Sequence, residues 1–116
     1  MNKENVSRAW ALLVSISKLS LEEKFPVISE LVALCGISPH KIQGHEHALT
    51  IVRYHLQLES RRLRIEEDGI RPGVRVIVYK KFPGIVVSIT KNYYPQIRLD
   101  NDKLVKMFGP DSVKVI

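Results

Sequence analysis

The stretch that decides the fold, residues 69–116, reads GIRPGVRVIVYKKFPGIVVSITKNYYPQIRLDNDKLVKMFGPDSVKVI. Runs of Val and Ile are interrupted by Pro, Gly and Asn-Asp, a pattern typical of half-buried strands joined by tight turns. It predicts five strands, at Arg75–Tyr79, Ile85–Thr90, Gln96–Asp100, Lys103–Met107 and Ser112–Ile116. We expect reversals at Phe82-Pro83-Gly84, Asn92–Pro95, Asn101-Asp102 and Gly109–Asp111, so that the strands close into a small barrel.

The order of these elements resembles that of the SH3-like barrels, which include the KOW and Tudor modules and the small photosystem-subunit barrel of cyanobacteria. Gly73–Val76 is similar to the opening of such modules, Gly84–Val86 to their second strand, and Phe108–Val113 to the helical turn before their last strand. The resemblance covers Ile70–Ile116 and implies a binding module, because the fold hosts many functions. Glycine is sparser around the turn than in nucleic-acid-binding KOW modules.

Length and composition indicate an ordinary globular chain. The 116 residues are 45% hydrophobic and 26% charged, which suits one domain, or one small domain with an appendage. No apolar run approaches the ~18 residues of a membrane span, and the first residues lack the layout of a signal peptide. With one cysteine, no intramolecular disulfide can form. We therefore expect a cytoplasmic protein without a membrane partner.

The net charge of +6 is unevenly distributed. Residues 1–50 carry five basic and five acidic side chains, whereas residues 51–116 carry thirteen basic and seven acidic ones. Such an asymmetry favours an anionic partner, either nucleic acid or an acidic protein surface. The alternative is a charge that serves solubility alone.

Residues 1–68 have the apolar spacing of about three helices. Ser20 and Glu23 form a capping-box signature at the start of the second helix. This helix should turn one face inward, and Pro26 within it predicts a kink or a late start. Gly36 is a natural C-terminal cap. The predicted inward face comprises Leu21, Phe25, Ile28, Val32 and Cys35.

The segment Leu31–Ile42 resembles a helix-turn-helix, with the second helix beginning at Pro39. As a recognition helix it would direct His40, Lys41 and Gln43 into the major groove of DNA. Gly44 and the neutral charge of this half of the chain count against DNA binding here. A tight turn between two core helices has the same pattern.

A third helix is expected from His45, with Ala48, Leu49, Val52 and Leu56 inward. Its other side carries a basic stripe, in which Arg53, Gln57, Arg61 and Arg64 align at helical spacing and Arg62 lies close by. The stripe is either a contact surface or a solvated face. The helix should end before Asp68-Gly69.

Residues with catalytic or metal-binding chemistry are not arranged in a recognisable pattern. The four histidines, His40, His45, His47 and His55, are not at the i, i+3 or i, i+4 spacing of helical metal sites. The sequence has no nucleophile elbow, phosphate loop or dinucleotide fingerprint. We expect a protein that is not an enzyme and uses no cofactor.

Aromatic side chains cluster near the predicted turns of the barrel, at Tyr79, Phe82, Tyr93 and Tyr94, with lysines between them. Such rings can stack on bases while lysines follow the phosphates. The same residues could form a protein-binding groove or cap the barrel ends. The predicted nucleic-acid-binding residues are Arg53, Arg61, Arg62, Arg64, Arg75, Lys80, Lys81, Lys91 and Tyr93.

The sequence thus predicts an α+β protein, with a helical region at 1–68 and an SH3-like β-barrel at 69–116 packed as one unit. The leading functional hypothesis is a nucleic-acid-binding module of low sequence specificity. A protein–protein adaptor or small subunit of a larger complex is the alternative, and a helix-turn-helix regulator is a third possibility.

Overall fold

The computed structural model describes residues 1–116 and has three α-helices and a five-stranded antiparallel sheet. The predicted α+β class is therefore confirmed. The chain divides into two compact units, Met1–Ser60 and Arg61–Ile116, each with its own apolar cluster. The predicted packing of helices and strands as one unit stays a prediction. None of the helices is long and apolar enough to cross a bilayer.

The first unit begins with two helices whose starts are capped by side chains. Helix α1 spans Lys3–Ser15, and the Asn2 side chain accepts a hydrogen bond from the Asn5 amide. A 3-10 turn, Ile16–Lys18, leads to α2 at Leu21–Leu34. The predicted capping box is confirmed, because Ser20 and Glu23 each accept from the other's backbone amide. Pro26 does not delay the helix, so the predicted late start is wrong.

The buried face of α2 is shifted from the predicted one. Ile28, Val32 and Cys35 are buried as expected, together with Leu31. Leu21 and Phe25 are instead exposed over 67% and 55% of their surface. Both belong to the first two turns of the helix, where Phe25 packs edge to face against His45 of the third helix.

The segment after α2 is a turn, and the predicted second helix of a helix-turn-helix is wrong. Gly36 has φ +66°, and the amides of Gly36 and Ile37 bond to the carbonyls of Ala33 and Val32, which is a Schellman end. Pro39–Lys41 forms only a 3-10 turn. Gly44, at φ +113°, leads directly into the next helix. His40, Lys41 and Gln43 therefore share no helical face.

Helix α3 spans His45–Asp68 and matches the prediction closely. Ala48, Val52 and Leu56 are almost completely buried, and Leu49 packs against the same cluster. Ser60 accepts a hydrogen bond of 2.9 Å from the Trp10 indole, so the tryptophan is fixed at the edge of this core. The boundary between the two units falls within α3, after Ser60.

The second unit contains the sheet, whose strands are β1 (Arg75–Val78), β2 (Phe82–Ile89), β3 (Pro95–Leu99), β4 (Val105–Met107) and β5 (Val113–Val115). A 3-10 turn, Pro110–Ser112, precedes β5. All five predicted strands are present in the predicted order. Their core is formed by Ile65, Ile70, Val76, Val78, Val86, Ile97 and Val113.

The predicted reversal at Phe82-Pro83-Gly84 is wrong, because these residues begin β2. The chain turns three residues earlier, where Tyr79 and Lys80 have φ of +54° and +60° and the Lys81 amide donates to the Val78 carbonyl at 3.0 Å. Gly84 is needed inside the strand. A Cβ there would lie 2.7 Å from the Arg98 carbonyl oxygen and 2.9 Å from Ile97.

The sheet is curved but does not close into the predicted barrel. Its strand order is β4-β3-β2-β1-β5, so β4 and β5 are edges that do not pair with each other. Strands β1 and β4 would lie about 14 Å apart in a flat sheet. Phe108, directly after β4, nevertheless contacts Tyr79, directly after β1, at a ring-centroid distance of 5.9 Å. The sheet therefore bends around its buried core, and β4 and β5 remain separate edges.

Candidate functional site

The arginines predicted as phosphate contacts in the second unit are mostly engaged by acidic side chains. Arg62 Nη1 donates to both carboxylate oxygens of Glu66, at 3.0 and 3.1 Å. Arg64 Nε donates to Asp68 at 2.8 Å, and its Nη1 lies 3.5 Å from Asp111. The bond to Asp68 raises the pKa of Arg64. These guanidinium groups are neutralised within the chain and are poorly placed to capture phosphate.

Arg75 has a carboxylate partner as well. Its Nη1 donates to Asp100 Oδ1 at 2.7 Å, and Nη2 donates to Oδ2, so the pair is bidentate. The hydrogen bond lowers the pKa of Asp100 and raises that of Arg75. This pair connects the start of β1 with the end of β3.

Arg61 has a structural role at the turn between β2 and β3. Its Nε donates to the Asn92 carbonyl at 2.9 Å, and its guanidinium carbon lies 4.4 Å from the centroid of the Tyr94 ring. Tyr93, in the same turn, has φ +63° and packs partly against the core. The guanidinium group of Arg61 is therefore engaged in stabilising this turn. Arg53 is exposed on α3 in the first unit.

The predicted lysines of the sheet lie at two distant places. Lys80 and Lys81 are in the β1–β2 turn, and Lys91 is in the β2–β3 turn with Tyr93. The eight residues of β2 separate these turns, which corresponds to about 24 Å of extended chain. The structure thus does not bring the two groups together into one contact surface.

A groove of about 340 Å³ opens beside Lys80 and Lys81, and we call it the aromatic groove. It lies between the β1–β2 turn, the β3–β4 turn and the end of β4. Its lining residues are Tyr79, Phe82, Leu99, Asn101, Asp102, Lys106 and Phe108. Tyr79 and Phe108 meet edge to face at 78°, and Lys81 Nζ lies 5.4 Å from the centroid of the Phe82 ring.

The charge around the aromatic groove is positive. The side chains of Lys80, Lys81 and Lys103 are exposed and form no ion pair. Asp102 is the only acidic residue of the lining. It accepts from the Leu104 amide at 3.0 Å and lies 3.0 Å from Lys106 Nζ. These two bonds lower the pKa of Asp102, and its charge is balanced within the chain.

The β1–β2 turn has a strained backbone, because Tyr79 and Lys80 adopt positive φ without being glycine. Two consecutive residues with positive φ are typical of a type I′ turn, which favours Asn-Gly. Each non-glycine residue in this conformation costs on the order of 1–2 kcal/mol. The chain nevertheless presents a tyrosine and a lysine here, both exposed. Backbone strain kept at an exposed position is a reason to look for a function of the side chains.

The sequence pattern located Tyr79, Phe82 and their lysines near a turn but missed the rest of the groove. Asn101 and Asp102 reach it through the pairing of β2 with β3, and Phe108 reaches Tyr79 because the sheet is curved; no local pattern indicates either. Lys103 follows Asp102 in the β3–β4 turn. Because a turn was predicted at Asn101-Asp102, the position of Lys103 could be inferred from the sequence.

A second and larger groove lies within the first unit. It has a volume of about 650 Å³ and is bounded by α2, the 3-10 turn and the start of α3. Phe25 and His45 stack edge to face at its rim, with ring centroids 4.2 Å apart. The walls are mainly apolar and include no lysine, arginine or carboxylate.

Comparison with known proteins gives no match to this chain, whether among family models, curated proteins or solved structures.

Proposed function

We propose that this protein is a non-enzymatic nucleic-acid-binding module and that its contact surface is the aromatic groove with its flanking lysines. The observation that carries the proposal is the meeting of three aromatic rings with three unpaired lysines at one end of the sheet. The rings can stack on bases, and the lysines can contact phosphates.

The distribution of charge between the units supports the same surface. Residues 61–116 carry twelve basic and six acidic side chains, whereas residues 1–60 carry six of each. In the second unit the arginines of α3 and β1 are largely paired, so the lysines of the turns hold much of the available charge. Phosphate contacts and stacking carry little sequence information, and we expect low sequence specificity.

The element order supports the proposed relation to SH3-like modules. A long second strand, a tight hairpin and a one-turn helix before the last strand occur as the resemblance implies. The open edge between β4 and β5 distinguishes this sheet from a closed barrel. In this proposal the ligand binds in the aromatic groove, which lies at the end of the sheet that holds the β1–β2 and β3–β4 turns.

The test is binding of a labelled oligonucleotide across a salt series. Three lysine contacts to a single strand predict a slope of log Kobs against log[salt] of about −2. Lys80→Glu combined with Lys81→Glu should reduce the slope to about −0.7 and weaken binding at least about tenfold. Lys91→Glu with Lys114→Glu is the matched control, since it changes the net charge equally at other places. Equal losses in both variants would contradict a site at the groove.

The apolar groove of the first unit favours a second candidate function, that of a protein–protein adaptor. A groove of about 650 Å³ with an aromatic rim is of the kind that receives an apolar side chain or helix of a partner. A stoichiometric protein recovered with the tagged chain after nuclease treatment, and lost in Ala33→Glu, would support this function. Loss of the partner on nuclease treatment would instead favour nucleic acid.

A further inference from the structure

The volume and exposure of the aromatic groove bear on which form of nucleic acid it could receive. Its volume of about 340 Å³ is at the lower end of ligand clefts. Tyr79, at its rim, is exposed over 60% of its surface. A ring can stack only on a base whose face is free, and the bases of a duplex are covered by their neighbours.

The charge of the groove argues against an organic cation as the ligand. Aromatic rings beside a carboxylate can bind ammonium groups. Here, however, Asp102 is already paired with Lys106 at 3.0 Å, and Lys81 Nζ lies by the Phe82 ring. With Lys80 in the adjoining β1–β2 turn and Lys103 in the β3–β4 turn, the surroundings favour a flat neutral ring attached to a negatively charged group. A nucleotide meets both conditions.

We infer that the aromatic groove receives one unpaired nucleobase, with Tyr79 as the stacking platform, so that the second unit selects single-stranded over double-stranded nucleic acid. This inference rests on the proposed function. Lys80 and Lys81 then contact the phosphates on either side of the inserted base. Asn101 and Asp102 also line the groove and offer polar groups to the edge of the base.

The strained turn provides a clean variant for the test. Tyr79→Asn removes the ring and places at φ +54° a residue that adopts this conformation readily. The relief of strain offsets the lost ring contact with Phe108, so the variant should fold with a thermal midpoint near that of the wild type. Tyr79→Phe keeps the ring and is the matched control.

The experiment measures binding of a labelled 12-nucleotide single strand and of the corresponding duplex at low salt. We expect the wild type and Tyr79→Phe to prefer the single strand, and Tyr79→Asn to lose about 5- to 100-fold in single-strand affinity with little change for the duplex. A 2-aminopurine base in the single strand reports stacking by a change in fluorescence on binding to the wild type. This second measurement needs no variant to fold.

The outcomes separate the inference from the proposed function. Salt-dependent binding that is equal for both forms, unaffected by Tyr79→Asn and silent for 2-aminopurine would overturn the base site and leave the proposed function standing. No binding of either form at low salt would overturn both. Preference for the single strand with loss in Tyr79→Asn would support both.

Discussion

Tyr79 and Phe108 meet edge to face with their ring centroids 5.9 Å apart, although β2 and β3 separate their strands in the sheet. The contact joins the β1–β2 turn to the end of β4 and forms one wall of the aromatic groove. The curvature of the sheet thus brings together two rings that line the same groove.

The ring pair should contribute to stability beyond the area it buries. A double-mutant cycle with Tyr79→Ala and Phe108→Ala is expected to give a coupling energy of about 0.5–1.5 kcal/mol, measured by urea unfolding. Val87 lies on β2, about 17 Å of strand from Phe82, and provides the control cycle with Tyr79. Additivity in the first cycle would show that the rings do not interact in solution.

Gly84 should not tolerate a methyl group. Gly84→Ala places a Cβ 2.7 Å from the Arg98 carbonyl oxygen and 3.1 Å from Leu99 Cα. Because both are backbone atoms of β3, the strands must separate, and we expect a loss of about 1–3 kcal/mol in the free energy of unfolding. Gly109→Ala meets nothing within 4 Å and should be neutral or slightly stabilising. Equal effects in the two variants would contradict the register of β2 and β3.

Acid should remove the contribution of the Arg75–Asp100 pair. The hydrogen bond from Arg75 lowers the pKa of Asp100 in the folded state. The stabilisation is therefore present above the unfolded pKa of about 3.9 and is lost as the pH falls through the lower folded value. The urea midpoints of the wild type and Asp100→Asn should differ at pH 5–7 and converge below pH 3.9.

The control for the acid experiment is Asp111→Asn. Asp111 is exposed over 88% of its side chain and lies 3.5 Å from Arg64, so its replacement should change the midpoint little at any pH. A difference between wild type and Asp100→Asn that persists at pH 2 would show that Asp100 stabilises the fold by another route.

The thiol of Cys35 should react slowly with thiol reagents in the folded protein. Burial raises its pKa, and the charge of Glu59 adds to the effect. The thiolate is the reactive form, so a colourimetric disulfide reagent should label Cys35 rapidly in urea and only slowly under native conditions at pH 7. Labelling at equal rates would mean that the end of α2 opens freely.

The sequence was sufficient where local chemistry determines the structure. The capping box at Ser20 and Glu23 depends on residues three apart, and the inward face of α3 follows from helical spacing. The neighbouring positions of β1 to β4 also follow from the short connections between these strands, whereas the pairing of β5 with β1 does not. The β1–β2 turn was misplaced because it contains Tyr79 and Lys80, whereas the expected signal, Pro83-Gly84, serves close packing within β2.

The pairing of the arginines in the basic stripe could have been predicted from the sequence. Arg62 and Arg64 each have an acidic residue four positions later, Glu66 and Asp68, and such pairs meet on a helix. The pairing of Arg75 with Asp100 could not be foreseen, since it requires the register of β1, β2 and β3. The aromatic groove depends on curvature and was likewise beyond local patterns.

The two unpaired edges of the sheet are the places where strands of other molecules could add at high protein concentration. Strands β4 and β5 each have three residues with a lysine in the centre, Lys106 and Lys114. Short, charged edges are poor templates for the addition of a strand from another molecule. Val105 and Met107 would otherwise offer an apolar edge for such growth. We therefore expect Lys106 and Lys114 to limit the growth of aggregates at the two edges of the sheet.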